Sequence, residues 1–510
     1  MNPTRRTLLK AFLLGVATPI LSHPPALSQN KPANPTAAEN QKAGTTGLHL
    51  TNPATKREIE GYASLTSVSR GAQIKLFVNT REPNYTIEIF RTGWYNGTGA
   101  RRITDPIVRT GTPQPPPIED QASGLIECDW KDPYILTVPN NPADPTDWAS
   151  GVYLAKLTAG KSGKQNYIIF VVRDDERASD ILFQSSVTTF QAYNNWGGKS
   201  LYRWNSKGKQ AYKVSFNRPY AASPNPDAAY GMGAGEFLTN LQPKRRTSSA
   251  AWEYNMVRWL EREGYDVTYA TNIDTHFNPK LLLYHKAFLS VGHDEYWSWE
   301  MRHNVETARD RGVSLGFFCA NTCYWQIRFE PSRITGNLNR TIVAYKEMAA
   351  KDPFARVRDT SNKSRITARW RDKRVNRPED ALIGVMYETF QVNADMVIDA
   401  GAPDWLLAGT GLQPGDKLPG LLGYEVDRMF GNAPANTVRV CHSPYEYEGG
   451  TRYSDMTVYT ADAGATVFAT GTIQWSWGLD DYNADKLRPS RLNPAAEQIT
   501  RNVLAQMVRR

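Results

Sequence analysis

The 510-residue sequence is poor in the residues that build disulfide scaffolds and common metal sites, with four Cys and seven His. A secreted disulfide framework uses many more cysteines per residue. Cys319 and Cys323 stand four apart near an expected strand end, while Cys128 and Cys441 are isolated. No second Cys pair and no His pair stands at ligand spacing, so a zinc site is not expected. Long apolar runs are missing as well. The nearest approach, Ala11 to Leu21, is too short to cross a bilayer and is interrupted by Pro19, so no membrane span is expected. Nor is there a long basic run. The formal charge is +9, to which Arg5, Arg6 and Lys10 contribute, and the densest cluster is Lys244-Arg245-Arg246, read as a solvated loop. A nucleic-acid partner is therefore not expected.

Aromatic residues, in contrast, are abundant. Fourteen Trp and 25 Tyr, within 40% apolar and 22% charged residues, supply material for packed interiors. The length calls for more than one core. Residues 1–28 read as an address: Arg5-Arg6, a short apolar segment and the small-residue exit Ala26-Leu27-Ser28 resemble a twin-arginine signal cleaved before Gln29. The expected destination is the periplasm or the exterior. That route carries folded proteins, so a cofactor would be loaded before export. Residues 29–54, rich in Pro, Ala, Asn and Thr without apolar period, are expected to form a flexible lead-in.

From residue 55 to 174 the pattern is β. Gln73–Val78, Tyr85–Phe90, Val152–Leu157 and Tyr167–Val172 alternate or run apolar at strand length, which fits an immunoglobulin-like β-sandwich. Residues 175–510 change period. A helix is expected over Ala251–Glu263, strands over Tyr265–Tyr269, Ala287–Val291 and Val313–Phe318, and a helix over Trp299–Arg311. Such alternation predicts a doubly wound α/β domain, in which ligands sit beyond the carboxyl ends of the strands. The segment 340–500 is mixed and carries less pattern.

Four groups of residues could carry chemistry. Gly292-His293-Asp294-Glu295-Tyr296-Trp297 follows an expected strand and offers metal ligands or proton carriers. Its bland alternative is that Asp294 or Glu295 caps the next helix. Phe318-Cys319-Ala320-Asn321-Thr322-Cys323 follows the next strand. Asn321 could donate to a carbonyl or oxyanion, and Cys319 is either a nucleophile or a small buried apolar residue. Tyrosines crowd Ala192–Tyr202 and Val214–Tyr220. A phenol ionises near 10, so a tyrosinate needs a strong cation beside it, and the ordinary reading of such a cluster is packing or sugar binding. In Gly420–Arg428, Glu425 and Asp427 share a face if the segment is a strand, with a salt bridge to Arg428 as the bland reading. Gly471–Leu479 is expected to be a strand whose two Trp share a side.

Taken together, Arg91-Thr92-Gly93-Trp94-Tyr95-Asn96-Gly97, AYNNWGGKSLY at Ala192, SFNRPY at Ser215, GHDEYW at Gly292, FFCANTCYW at Phe317, GLLGYEVDR at Gly420 and GTIQWSWGL at Gly471 resemble the large subunit of N,N-dimethylformamidase and its relatives over roughly residues 55–505. The resemblance implies a carboxyl-terminal domain of class I glutamine amidotransferase type. It also implies amide hydrolysis with one ferric ion per chain, held by two tyrosines and a glutamate. Carried over by motif, the ligands are Tyr193, Tyr220 and Glu295, with Tyr202 and Tyr212 as neighbouring alternatives for the second phenol. The nearby catalytic residues are His293, Asn321 and Glu425. The implied substrate is a small-molecule amide. The family's large chain has a small accessory subunit, which nothing in this sequence resembles, and a homo-oligomer is compatible with the reading.

Three functions are thus open: an exported iron-dependent amidohydrolase; a metal-free amidase using Cys319 as nucleophile, against which the missing Gly-x-Cys-x-Gly elbow counts; and a non-catalytic protein binding a polysaccharide or envelope partner.

Overall fold

Period-two patterning in three long strands builds the first layer. Asn84–Thr92, Gly151–Ala159 and Gln165–Arg173 pair antiparallel, with Leu154 opposite both Phe90 and Ile169. Ser67–Ser69, Ala100–Arg102 and Ile107–Thr110 complete a six-stranded sheet. This is a computed structural model, and it describes residues 34–221, 237–238, 252–356, 364–484 and 488–509. The expected export signal and the Lys244–Arg246 cluster lie outside these residues.

A three-stranded sheet, Ile59–Ala63, Gln73–Thr80 and Tyr134–Thr137, faces the first. Ile74, Leu76 and Val78 from one sheet meet Ile87, Ile89, Tyr153, Ala155 and Phe170 from the other in a shared core. The alternate residues Phe90, Val152, Leu154, Ile169 and Val171 point the other way and pack into the core of the following α/β part. Both faces of the larger sheet are therefore dry, which is why its central strands read as nearly unbroken apolar runs.

The α/β part is built on a seven-stranded sheet. Val267–Thr271, Ile181–Ser185, Ala287–Gly292, Ser314–Cys319 and Thr466–Ala469 run parallel in that spatial order. Counted along the chain, the order is 2-1-3-4-5. Alternation again sends side chains both ways. Phe183, Tyr269, Leu289 and Val291 pack under helices Glu253–Arg262 and Pro494–Met507. Leu182, Phe288, Leu315 and Phe317 pack under Pro279–Leu283 and Trp299–Arg309. The molecule thus joins a β-rich part to an α/β part with helices on both faces of its sheet.

Three departures from expectation follow from local physics. Two antiparallel strands, Gly450–Thr460 and Val438–Tyr447, extend the parallel sheet at one edge. Part of the expected flexible lead-in is structured: Asn34 caps a helix over Pro35–Asn40, and buried Glu39 and Asn40 bond Arg101, Tyr95 and Glu261. The expected strand at Gly471–Leu479 is instead a 3-10 turn over Ile473–Gly478, started by Thr472, whose hydroxyl accepts from the Gln474 amide. Its tryptophans diverge, Trp475 into the main core and Trp477 into a small cluster with Trp252, Ala320 and Tyr424.

Candidate active site

In the strand order 2-1-3-4-5, neighbouring strands Ile181–Ser185 and Ala287–Gly292 send their connections to opposite sides, leaving a crevice at their carboxyl ends. The first leads into helix Val187–Tyr193, which ends on Tyr193. The second ends on Gly292, whose φ of +73° turns the chain sharply away from the strand. A Cβ there would stand 3.1 Å from the Cβ of Trp252. The next strand, Ser314–Cys319, runs into Asn321, which adopts a left-handed φ of 54°, a conformation asparagine tolerates well.

These exits are fastened together. The amide of Cys323 donates to the Asp294 carbonyl at 2.9 Å, and those of Tyr324 and Trp325 donate to the Glu295 carbonyl at 2.9 and 3.0 Å. The Glu295 amide donates to the Thr189 hydroxyl at 3.0 Å. Asp294 points beneath the site and accepts from Gln184, Asn272 and Ser290 at 2.7–2.9 Å, holding three elements to one carboxylate. Neither it nor Glu295 caps the next helix. Ser298 does, its hydroxyl accepting from the Met301 amide at 3.1 Å.

At the floor of the crevice three oxygen-bearing side chains meet. The Tyr193 hydroxyl donates to Glu295 Oε2 at 2.9 Å. The Tyr202 hydroxyl stands 2.9 Å from that of Tyr193 and 3.1 and 3.0 Å from the two Glu295 oxygens. Tyr296 donates to the Tyr202 hydroxyl at 2.5 Å, and Lys346 Nζ reaches the Tyr296 hydroxyl at 3.1 Å while lying 3.3 Å from the centre of the Tyr202 ring. His293 Nε2 is 3.4 Å from both Glu295 Oε2 and Glu425 Oε2. Asn321 Nδ2 donates to Glu425 Oε2 at 2.7 Å, and the Asn321 amide donates to Asp427 Oδ1 at 2.8 Å, so Glu425 and Asp427 do share a strand face. Arg428 pairs with Glu388 instead.

Burial governs the electrostatics. It pushes the phenols of Tyr193 and Tyr202 well above their ordinary range, and the charge of Glu295 adds to the effect. Burial opposes ionisation of Glu295 too, but the hydrogen bond and charge of His293, with Lys346 behind, hold its carboxyl below the usual value. Burial lifts Glu425 to about 7, against the pull of His293. The same effect lowers Lys346 to about 8.

Above this floor opens a cavity of about 590 Å³, whose walls include Trp204, Tyr324, Trp325, Tyr387, Phe390 and Tyr424. A model of the family described as N,N-dimethylformamidase beta subunit-like, C-terminal, matches residues 86–487, well over half of the chain. The chain belongs to this family. No curated protein matches it. Within the dimethylformamidase beta subunit-like match lie all the residues that line the cavity.

Of the residues expected from the sequence, Tyr193, Glu295, His293, Asn321 and Glu425 come together in the cavity wall. Tyr220 does not line it. Its ring packs against the main core, and the charges acting on its phenol are those of Arg340 and Arg218. Tyr202, the neighbouring alternative, stands beside Tyr193 and Glu295 instead. Tyr212 stacks on Tyr345 with ring centres 4.8 Å apart, also outside the cavity lining. Cys319 is buried, its thiol pushed well above the ordinary range by burial and bonded by Thr322 at 2.6 Å. All four cysteines are free, Cys319 and Cys323 included. Lys346 and Tyr296 were missed. Tyr296 lay within a phrase singled out for its neighbours, whereas Lys346 had no sequence signal at all.

The oxygens at the floor suit a small, highly charged cation. Donors bound about 2.0–2.2 Å from one ion lie roughly 2.8–3.6 Å apart, and the two phenol oxygens and Glu295 Oε2 stand 2.9–3.0 Å from one another. Among the described residues no group of three or more His, Cys, Asp or Glu is arranged to hold a metal, so a metal at this floor would need phenol oxygen among its ligands.

Proposed function

We propose that the chain is an exported, iron-dependent amidohydrolase that cleaves an amide C–N bond in the cavity above Tyr193, Tyr202 and Glu295. The observation that carries this reading is the convergence of one buried phenol, Tyr193, one half-buried phenol, Tyr202, and one carboxylate within 2.9–3.1 Å, beside His293 and Glu425. Tyr193, Tyr202 and Glu295 would hold one ferric ion, three anionic oxygens matching its charge. When bound, that ion supplies Lewis acidity, polarising a carbonyl and making water acidic enough to react near neutrality.

The chain's own residues supply the rest. Glu425, titrating near neutrality, can hold a proton and pass it to the departing nitrogen, without which C–N cleavage stalls. His293, 3.4 Å from Glu425, is placed to return that proton or share it. Asn321, itself part of the cavity wall, fixes Glu425 by its 2.7 Å hydrogen bond. The aromatic walls exclude water from the reacting group.

The strand order 2-1-3-4-5 supports reading the α/β part as amidotransferase-like, and the two facing antiparallel sheets support an immunoglobulin-like sandwich. The paired arginines at the start of the chain support export to the periplasm or beyond. The description of the family as a beta subunit supports an assembly of more than one chain. A cysteine nucleophile is disfavoured, since Cys319 does not line the cavity. Among the described residues no helix is long and apolar enough to cross a membrane.

The deciding experiment is metal analysis and a visible spectrum of freshly purified mature protein. One iron per chain and a tyrosinate charge-transfer band that disappears in Tyr193→Phe are expected. A colourless protein with full amidase activity after exhaustive chelation would overturn the reading.

A further inference from the structure

The two phenols at the floor have unequal surroundings. Among the described residues the Tyr193 hydroxyl is bonded only within the trio, to Glu295 Oε2 and to the Tyr202 hydroxyl, each at 2.9 Å. Tyr202 has a further partner from outside it. The Tyr296 hydroxyl donates to the Tyr202 oxygen at 2.5 Å, the short end of the range for O–H···O bonds. The direction of that bond is fixed from behind. Lys346 Nζ stands 3.1 Å from the Tyr296 oxygen and 3.3 Å from the Leu201 carbonyl oxygen. An ammonium only donates, so the Tyr296 oxygen accepts from Lys346 and its own proton is directed to Tyr202. The same ammonium lies 3.3 Å from the centre of the Tyr202 ring, where the negative face of the ring attracts it.

A second, independent observation concerns Lys346 itself. The residue is 3% exposed, and among the described residues its contacts are a carbonyl, a hydroxyl and the rings of Tyr202, Tyr296 and Trp325. None of these is a carboxylate. Glu295 and Glu347 attract it from beyond hydrogen-bond reach. Taking an ammonium out of water costs several kcal/mol unless a negative charge stands close. Its backbone is also held in the left-handed region, with φ of 57°, at a cost of about 1–3 kcal/mol for a residue with a Cβ. A phenolate at Tyr202 would be the close counter-charge.

We infer that Tyr296 and Lys346 are positioning residues that make the two phenol ligands unequal. The Tyr296 hydroxyl, oriented by Lys346, withdraws electron density from the Tyr202 oxygen, and Tyr193 remains the stronger donor. This rests on the iron reading above. Three full anionic donors balance a ferric ion and blunt its Lewis acidity; a hydrogen bond and a cation acting on one donor restore part of it. The chain places both devices locally. Tyr296 follows the ligand Glu295 directly and opens the strand Tyr296–Ser298, while Lys346 begins the 3-10 turn Lys346–Lys351.

The test compares iron content, visible spectrum and ferric/ferrous midpoint potential in the mature protein as purified and in its variants. Tyr296→Phe should keep its iron, move the tyrosinate band to longer wavelength and lower the potential, because a phenolate freed of the hydrogen bond gives electron density to the ion more readily. Lys346→Met should shift both in the same directions, and Lys346→Arg, which keeps a cation and donors, should stay closer to the parent. Tyr212→Phe, away from the cavity, should match the parent in all three measurements. An iron-bearing parent whose band and potential are unmoved in Tyr296→Phe and Lys346→Met would overturn the inference and leave the iron site standing. Loss of iron from Tyr296→Phe would overturn it as well, since the residue would then build the site rather than tune it. A parent with neither iron nor band would sink the iron reading itself, and this inference with it.

Discussion

Replacing Arg91 by Met should unfold the chain far more easily than any surface change. Arg91, on strand Asn84–Thr92, and Glu261, on helix Glu253–Arg262, are each 0% exposed at the side chain and form a two-pronged ion pair at 2.8 and 2.9 Å. The guanidinium also donates to the Tyr95 hydroxyl at 3.0 Å and to the Ser150 carbonyl at 2.8 Å. In Arg91→Met the Glu261 carboxylate keeps only Asn40 at 2.6 Å and Tyr269 at 2.7 Å. An uncompensated buried charge costs about 3–5 kcal/mol, a large share of the roughly 5–15 kcal/mol that separates folded from unfolded chains. Urea unfolding followed by tryptophan fluorescence should show a midpoint lowered to match. Adding Glu261→Leu to Arg91→Met should recover much of the loss, since the stranded charge is gone. A single variant within about 1 kcal/mol of the parent, or a double variant no better than the single, would refute the view that this pair holds the sandwich to the layer bearing the site.

Three further outcomes follow from the site. Tyr202→Phe should strip bound iron and its colour, whereas Tyr220→Phe should retain both, measured by metal content and absorbance. The Glu425 carboxyl, raised to about 7, binds its proton more tightly folded than unfolded; iron-free protein should therefore lose stability as pH rises from about 4.5 to 7, by roughly 3 kcal/mol at most. Glu425→Gln should flatten that slope in urea titrations at successive pH values. Iodoacetamide should leave the folded protein active, because the Cys319 thiol is buried and protonated; rapid loss of activity that Cys319→Ala prevents would count against this.

The parallel strands were legible because each is an apolar run bounded by turn residues, and the strand exits followed from them. Gly292 marks one exit by its position after Val291, and His293 and Glu295 follow at once, so two of the site's side chains could be read from local order. The inserted segments between Ser314–Cys319 and Thr466–Ala469 were legible only at Gly420–Arg428, where Glu425 and Asp427 share a strand face. The long hairpin Met386–Val397 with Lys417–Arg428 shifts register three times, at Tyr387/Thr389, Phe390/Val392 and Ala394/Met396. Each shift moves the apolar set to the other face, which erases the period-two signal. Tyr387 and Phe390 reach the cavity on that hairpin, so the aromatic wall could not be read from alternation.

The choice between Tyr202 and Tyr220 shows what kind of information a sequence lacks. Both lie in tyrosine-rich phrases, and composition does not separate them. The separation is made by backbone closure after Tyr193. The Leu201 amide donates to the Ala192 carbonyl at 3.0 Å, and Asn205 Nδ2 donates to the Tyr193 carbonyl at 3.0 Å. This closes the chain into a tight loop that lays the Tyr202 ring on that of Tyr193, centres 4.3 Å apart. Two stacked phenols that share one carboxylate must each find a hydrogen-bond partner. Here the partners are one another, Glu295 and Tyr296, with Lys346 as the only cation against the Tyr202 ring among the described residues. The hydroxyl oxygens are thus gathered around Glu295 by hydrogen bonds alone, and it is on this convergence that the proposed iron site rests.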